Sequence, residues 1–284
     1  MMKKLLRRCM VVVFVFGVAG TVSAQQRPLV TEDPETIGSG LVLIEGGVDY
    51  ARDQRFPVSG LKGNLLRLPL LGFSIGVSSI AEIQIDGLSF SRLSIAERQQ
   101  APHSERLNFT GDMTGSMEDL VVGTKVRLVS ELARRPAFGL QFATRLPSTG
   151  SQTGLGLGTT DFSAKLLGGK TVQSVRVVGN VGVGILGDPT RGDRKNEVLL
   201  YGVSFARAVA QGFELVGELN GRIDTRKGDP PPGTENRSGM RFGARYTRGT
   251  IRIDAAVLAG LTSRDPSLGV TAGFTWVFQG FQIP

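Results

Sequence analysis

His103 is the only histidine in the chain, and Ser104 follows it in the stretch "QQAPHSERLN". A serine nucleophile needs a base to take its proton, and histidine is the usual one. If acyl-transfer or hydrolytic chemistry were present, it would centre on this pair. A lone loop histidine beside a serine is more often a solvated side chain than a base, so the chain is read as a non-enzyme. One histidine also excludes a histidine metal cluster. Carboxylates are plentiful, but nothing singles out a catalytic pair among them. "GLGLGTT" (154–160) has the glycines of a phosphate cradle, yet no helix follows it to supply an anion-binding N-terminus. No cofactor is expected.

Charge offers a different chemistry. In "MRFGARY", Met240, Phe242, Ala244 and Tyr246 alternate with Arg241, Gly243 and Arg245. In "IRIDAAVLAGL", Ile251, Ile253, Ala255 and Val257 alternate with Arg252 and Asp254, and in "FELVGELNGRID" Phe213, Leu215 and Leu219 oppose Glu214, Glu218, Asn220 and Arg222. "FGLQFATRL" sets Phe138, Leu140 and Phe142 against Gln141 and Arg145. This period of two is the signature of strands. It puts ionised side chains on one face and lipid-like ones on the other.

The pattern repeats over twelve strands, at roughly 40–50, 61–70, 76–95, 116–130, 136–147, 158–168, 172–186, 196–208, 212–225, 238–247, 250–261 and 267–278. Short connections ("LGFSI", "ELARR", "GGKT", "VAQG", "TRG") alternate with long polar ones such as "RKGDPPPGTENR". Short turns at one end and long loops at the other is the layout of an outer-membrane barrel. The expected fold is all-β: a single antiparallel transmembrane β-barrel of about 12 strands over 40–278. A soluble β-sandwich would also alternate, but would leave the loop asymmetry and the leader unexplained. In the last strand, "LGVTAGFTWVF", Phe274, Trp276 and Phe278 are expected to face lipid. This strand resembles the signal read by the barrel-assembly machinery, the protein partner expected alongside membrane lipid.

The first 24 residues read as a cleaved signal peptide: Lys3, Lys4, Arg7 and Arg8, then the apolar run 10–19, then "TVSA". Its removal leaves 29 of the 33 basic side chains against 25 acidic ones, a net of +4. Acids and bases alternate throughout, whereas a nucleic-acid binder concentrates its bases on one patch, so no nucleic-acid partner is expected. Cys9 leaves with the leader, so the mature chain has no disulfide or thiolate metal site. Residues 25–39 form a periplasmic or lumen-tucked segment, and 279–284 a short C-terminal extension.

Several stretches carry a resemblance. "RPLVTEDPETIGSG" (27–40), "MEDLVVGTKVRL" (117–128), "LPSTGSQTGLGLGTTDF" (146–162) and "VVGNVGVGI" (177–185) resemble, in order, motifs of outer-membrane barrels named for the MetA pathway of phenol degradation. Glu32 where the family has Asp, and the inserted Ser148, depart from its pattern. The resemblance implies a porin-like transport barrel for small, often aromatic, molecules, in the outer membrane of a bacterium.

With the apolar face outward, the lumen is expected to hold balanced charge. The selectivity candidates are Arg145, Arg176, Glu218, Arg222, Arg241, Arg245, Arg252 and Asp254. Arg222, Arg241, Arg245 and Arg252 are expected to cluster, partly neutralised by Glu218, Asp224 and Asp254. Such a wall acts strongly on passing ions, which makes a narrow passive or gated solute pathway, for aromatic or anionic compounds among others, the leading reading. The alternative is a filled barrel acting as a structural, adhesin-like or receptor protein through its extracellular loops. Gly243, inward and small, is expected to accept Ser.

Overall fold

Alternating side chains leave each strand with one face that must meet lipid and one that must meet ions, and a closed sheet is the arrangement that separates the two. The computed structural model describes residues 27–282; the expected leader lies outside them. Its strands are β1 (Leu41–Phe56), β2 (Leu61–Gly76), β3 (Ala81–Asp86 and Phe90–Arg98), β4 (Met113–Met117 and Leu120–Val129), β5 (Ala137–Leu146), β6 (Asp161–Val172), β7 (Val175–Gly187), β8 (Lys195–Ala210), β9 (Phe213–Asp224), β10 (Arg237–Arg248), β11 (Ile251–Gly260) and β12 (Leu268–Gln279). Each pairs antiparallel with the next, and β1 pairs with β12 from Leu41↔Gln279 to Arg52↔Leu268. The sheet therefore closes into a 12-strand barrel with no free edge.

The outward face is apolar. Phe242 and Ile253 are 54% and 56% exposed, which in a membrane protein is exposure to lipid. At the short-turn end, Phe213 lies opposite Tyr246, and the rings of Trp276 and Phe278 sit 4.4 Å apart. This is the aromatic band found where barrel walls meet headgroups.

Three local expectations are corrected. "LGFSI" (71–75) and "GGKT" (168–171) lie within β2 and β6, and the turns come later, at 77–80 and 173–174. β1 also runs on to Phe56, so the first connection on the long-loop side is only 57–60. The extension is stabilised by an inward apolar cluster of Ala51, Leu61, Leu65 and Leu93, covered by Leu107, Phe109 and Leu155.

β3 and β4 are each broken, side by side, at 87–89 and 118–119. Gly87 has φ +82°, and a β-carbon there would collide with the Asp119 carbonyl oxygen. Such irregularities re-aim side chains. Here they let the consecutive acids Glu118 and Asp119 both reach lumen arginines, Arg67 and Arg145.

The expected tolerance of Gly243 is also corrected. A β-carbon there would run into the Ala255 carbonyl oxygen and lie 2.5 Å from Ala256 Cβ. The inward face is crowded by its neighbouring strand even where it carries no charge.

Candidate functional site: the lumen and its N-terminal strap

Residues 27–37, "RPLVTEDPETI", have no apolar period and cannot add a strand. Pro28 and Pro34 donate no backbone hydrogen bond, and the other amides must find partners one by one. Several find them on the inner wall, while the Glu35 N–H turns to Asp33 within the strap. Glu218 accepts the N–H of Val30 (2.9 Å) and of Thr31 (2.9 Å), and also the Thr31 hydroxyl (2.8 Å). Asn180 accepts from the Glu32 N–H (2.7 Å) and donates to the Glu32 carbonyl (2.8 Å). Glu82 accepts the Ile37 N–H at 2.7 Å.

Ion pairs follow the same path. Arg27 meets Asp254 at 3.4 Å, Asp33 meets Arg176 at 2.7 Å, and Glu35 meets Arg127 at 2.6 Å. Glu32 joins Lys125, Gln84 and Gln141, while Lys125, fully buried, pairs with Glu82 at 3.1 Å. Two apolar anchors complete the fit: Leu29 against Ala206 and Val216, and Ile37 against Leu43 and Val277. Pro34 crosses Gly139 and Gly169 so closely that β-carbons there would lie 3.3 and 3.0 Å from it. The strap thus passes from β11 around the wall to β1, in the short-turn half of the lumen.

Above the strap the lumen opens into three cavities of about 330, 270 and 250 Å³. They share lining residues, Arg67 between the first and third and Arg237 between the second and third, and so form one vestibule. Over it the long loops meet. Val58, Leu157 and Pro189 crowd Gly233, Ser59 donates to the Gly154 carbonyl (2.7 Å), and Asn196 bonds Thr234 (3.0 Å).

A barrel of this kind has counterparts among solved structures. One is the COG4313 outer membrane channel from Pseudomonas putida F1, with a TM-score of 0.61 and 13% identity over 87% of this chain and 98% of that one. The chain also aligns with the KdgM porin in complex with disordered oligogalacturonate (TM-score 0.48, 10% identity, 83% and 99% covered) and with the NanC porin (0.48, 12%, 86% and 100%). The fold is that of an outer-membrane barrel. No protein-family model matches the sequence, and no curated protein matches it.

The barrel separates the candidate residues into levels. Arg241 pairs with Glu218 at 3.3 Å and also donates to the Pro28 carbonyl (3.4 Å). Arg245 meets Glu214 at 2.7 Å, and Arg252 reaches the same carboxylate and the Thr247 hydroxyl. Asp254 is turned to Arg27, and Arg176 to Asp33 and Glu131. These lie at strap level or below, although Arg241 also lines the third cavity.

Arg145, between Asp119 and Asp161, and Arg222 lie in the vestibule. Arg222 donates to the carbonyls of Glu235 (2.9 Å) and Gly233 (2.7 Å), not to a carboxylate. Asp224 turns to Asn196. The four arginines expected together are therefore split: Arg241, Arg245 and Arg252 surround the start of the strap, and Arg222 stands above it.

Sequence reading missed Arg237, which faces Arg222 across the β9–β10 pair. It sits where a polar loop becomes a strand, so no alternation marks it. It also missed Arg27 and Glu32, because a strap has no period, and Glu118, because the bulge inverts the alternation on which its face was judged. In the turn at 130–136, Glu131 loses solvation, but hydrogen bonds from Thr171 and Lys170 outweigh this and hold its carboxyl below the usual range.

Proposed function

We propose that the chain forms a gated outer-membrane pathway for small solutes, in which residues 27–37 are the gate. The observation that carries this reading is the way the strap is held. It is held by side-chain hydrogen bonds, ion pairs and two apolar anchors to a wall that is complete without it, whereas the wall itself is held by a closed backbone ladder. Contacts of that kind can be exchanged for water and solute; a ladder cannot be opened locally without breaking the closure. The vestibule beyond the strap, lined by arginines, then becomes continuous with the periplasmic side when the strap withdraws. A charged, narrow wall favours anionic solutes.

The finer assignment, to the barrels named for the MetA pathway of phenol degradation, draws on the ordered motifs of 27–40, 117–128, 146–162 and 177–185. It favours aromatic solutes. Export by a leader at 1–24, insertion by the barrel-assembly machinery through β12, and residence in the bacterial outer membrane belong to the same reading.

A second reading, a filled barrel acting through its loops, draws on the ion pairing at Arg67, Lys125 and Arg145 and on the loop contacts over the mouth. Liposome swelling separates the two. Proteoliposomes in iso-osmotic benzoate, arabinose or glycine should swell measurably faster than protein-free ones, with benzoate fastest for its size. Swelling at the protein-free rate for every solute, together with loss of cell-surface binding on exchange of 99–112, would favour the filled barrel.

A further inference from the structure

The cavity of about 270 Å³ directly above the strap differs in charge from the rest of the lumen. Lys165, Arg222 and Arg237 line it, with Asn220 beside them and Val30 and Thr31 as the floor, and no carboxylate is among its lining residues. Elsewhere lumen cations are matched: Arg67 by Asp49 and Glu118, Arg145 by Asp119 and Asp161, Lys125 by Glu82. Here Arg222 is held only by backbone carbonyls. The Arg237 side chain makes no hydrogen bond or close ion pair among the described residues, with Asp265 and Glu235 attracting it from beyond ion-pair distance, and it lies directly across from Arg222 in the sheet. Like charges opposed across a strand pair are destabilising. In a confined wall they are stabilised by an anion that both can hold, and a planar carboxylate suits the guanidinium fork. Leu200 and Val30 supply an apolar side.

We propose that this cavity binds a small organic carboxylate, held by Lys165, Arg222 and Arg237. Val30 and Thr31 of the strap form its floor, and Asn220 is a further donor beside it. This rests on the reading of the lumen as a solute pathway, but binding itself is measured without transport.

The experiment uses the mature chain refolded in detergent, with benzoate and acetate as probes and chloride as the background anion. Isothermal titration should show saturable benzoate binding, weakened at least tenfold in Arg237→Gln and in Lys165→Gln, with Arg237→Lys closer to the parent. Folding of each variant is read independently by heat-modifiable migration. No saturable binding, or equal binding in folded Arg237→Gln, overturns the site. Failure of the strap to gate transport would instead appear only in swelling or conductance, with the binding result intact.

Discussion

Glu218 accepts both the backbone N–H and the hydroxyl of Thr31, at 2.9 and 2.8 Å, so a single lumen carboxylate grips one strap residue twice. The same carboxylate takes the Val30 amide and pairs with Arg241. Hydrogen bonds to charged groups contribute about 1.5–3 kcal/mol each. Losing several of them, less what water restores, should shift the strap by about 3 kcal/mol, roughly a hundredfold in its open-to-closed ratio. Glu218→Ala is therefore expected to raise the open fraction of single channels in planar bilayers, with Glu218→Gln intermediate. Indistinguishable open fractions for the parent and Glu218→Ala would remove this carboxylate from the latch.

The wall gives a test of register. Phe242→Arg places a cation in lipid, at a cost of about 2–4 kcal/mol near the midplane. Gly243→Ser should also destabilise, through collision with Ala255 and Ala256. Gly239 is inward on the same strand, yet a β-carbon there meets nothing closer than 3.6 Å, so Gly239→Ser should unfold at the parental urea concentration. Equal damage at Gly239 and Gly243 would mean that strand crowding has been misplaced.

His103 tests the loops over the mouth. The residue is 4% exposed, its backbone N–H donates to the Val58 carbonyl, and Nδ1 has no hydrogen-bond partner among the described residues. Burial first, and the Arg106 charge second, hold its pKa below the ordinary 6.5. Below pH 6.5 the unfolded loop therefore binds more protons than the folded one, and stability falls as pH falls toward the folded pKa. Amide exchange in 99–112 should be faster at pH 5 than at pH 7.5 after correction for intrinsic rates, and the difference should shrink in His103→Gln. An undiminished difference in His103→Gln would place the acid sensitivity elsewhere.

The barrel was legible because lipid and ions impose a period of two on every strand, and stretches such as "IRIDAAVLAGL" show it without interruption. Connections were less legible. "GGKT" has the composition of a turn, yet Gly169 lies in β6, where Arg176 and Pro34 of the strap leave little room for a β-carbon. The strap is a one-off path: Val30, Glu32 and Asp33 are placed by Glu218, Asn180 and Arg176, residues more than a hundred positions away. Local spacing carries no trace of such contacts. The candidate arginines, and wall partners such as Glu214 and Glu218, were found because they alternate with lipid-facing residues; the partners in the strap, Asp33 for Arg176 and the Pro28 carbonyl for Arg241, were not.

The central claim is that residues 27–37 close a lumen that is otherwise passable. Its most direct measurement compares single-channel conductance of the mature chain with that of the same chain lacking 27–37, both folded by heat-modifiable migration, in one salt and at one voltage. Removal of the strap should give a steady conductance at least tenfold above that of the parent's closed level, with the parent reaching the same level only in brief openings. A deletion variant that folds and conducts no better than the parent's closed level would contradict the account, and the lumen would then be filled by its own wall and loops.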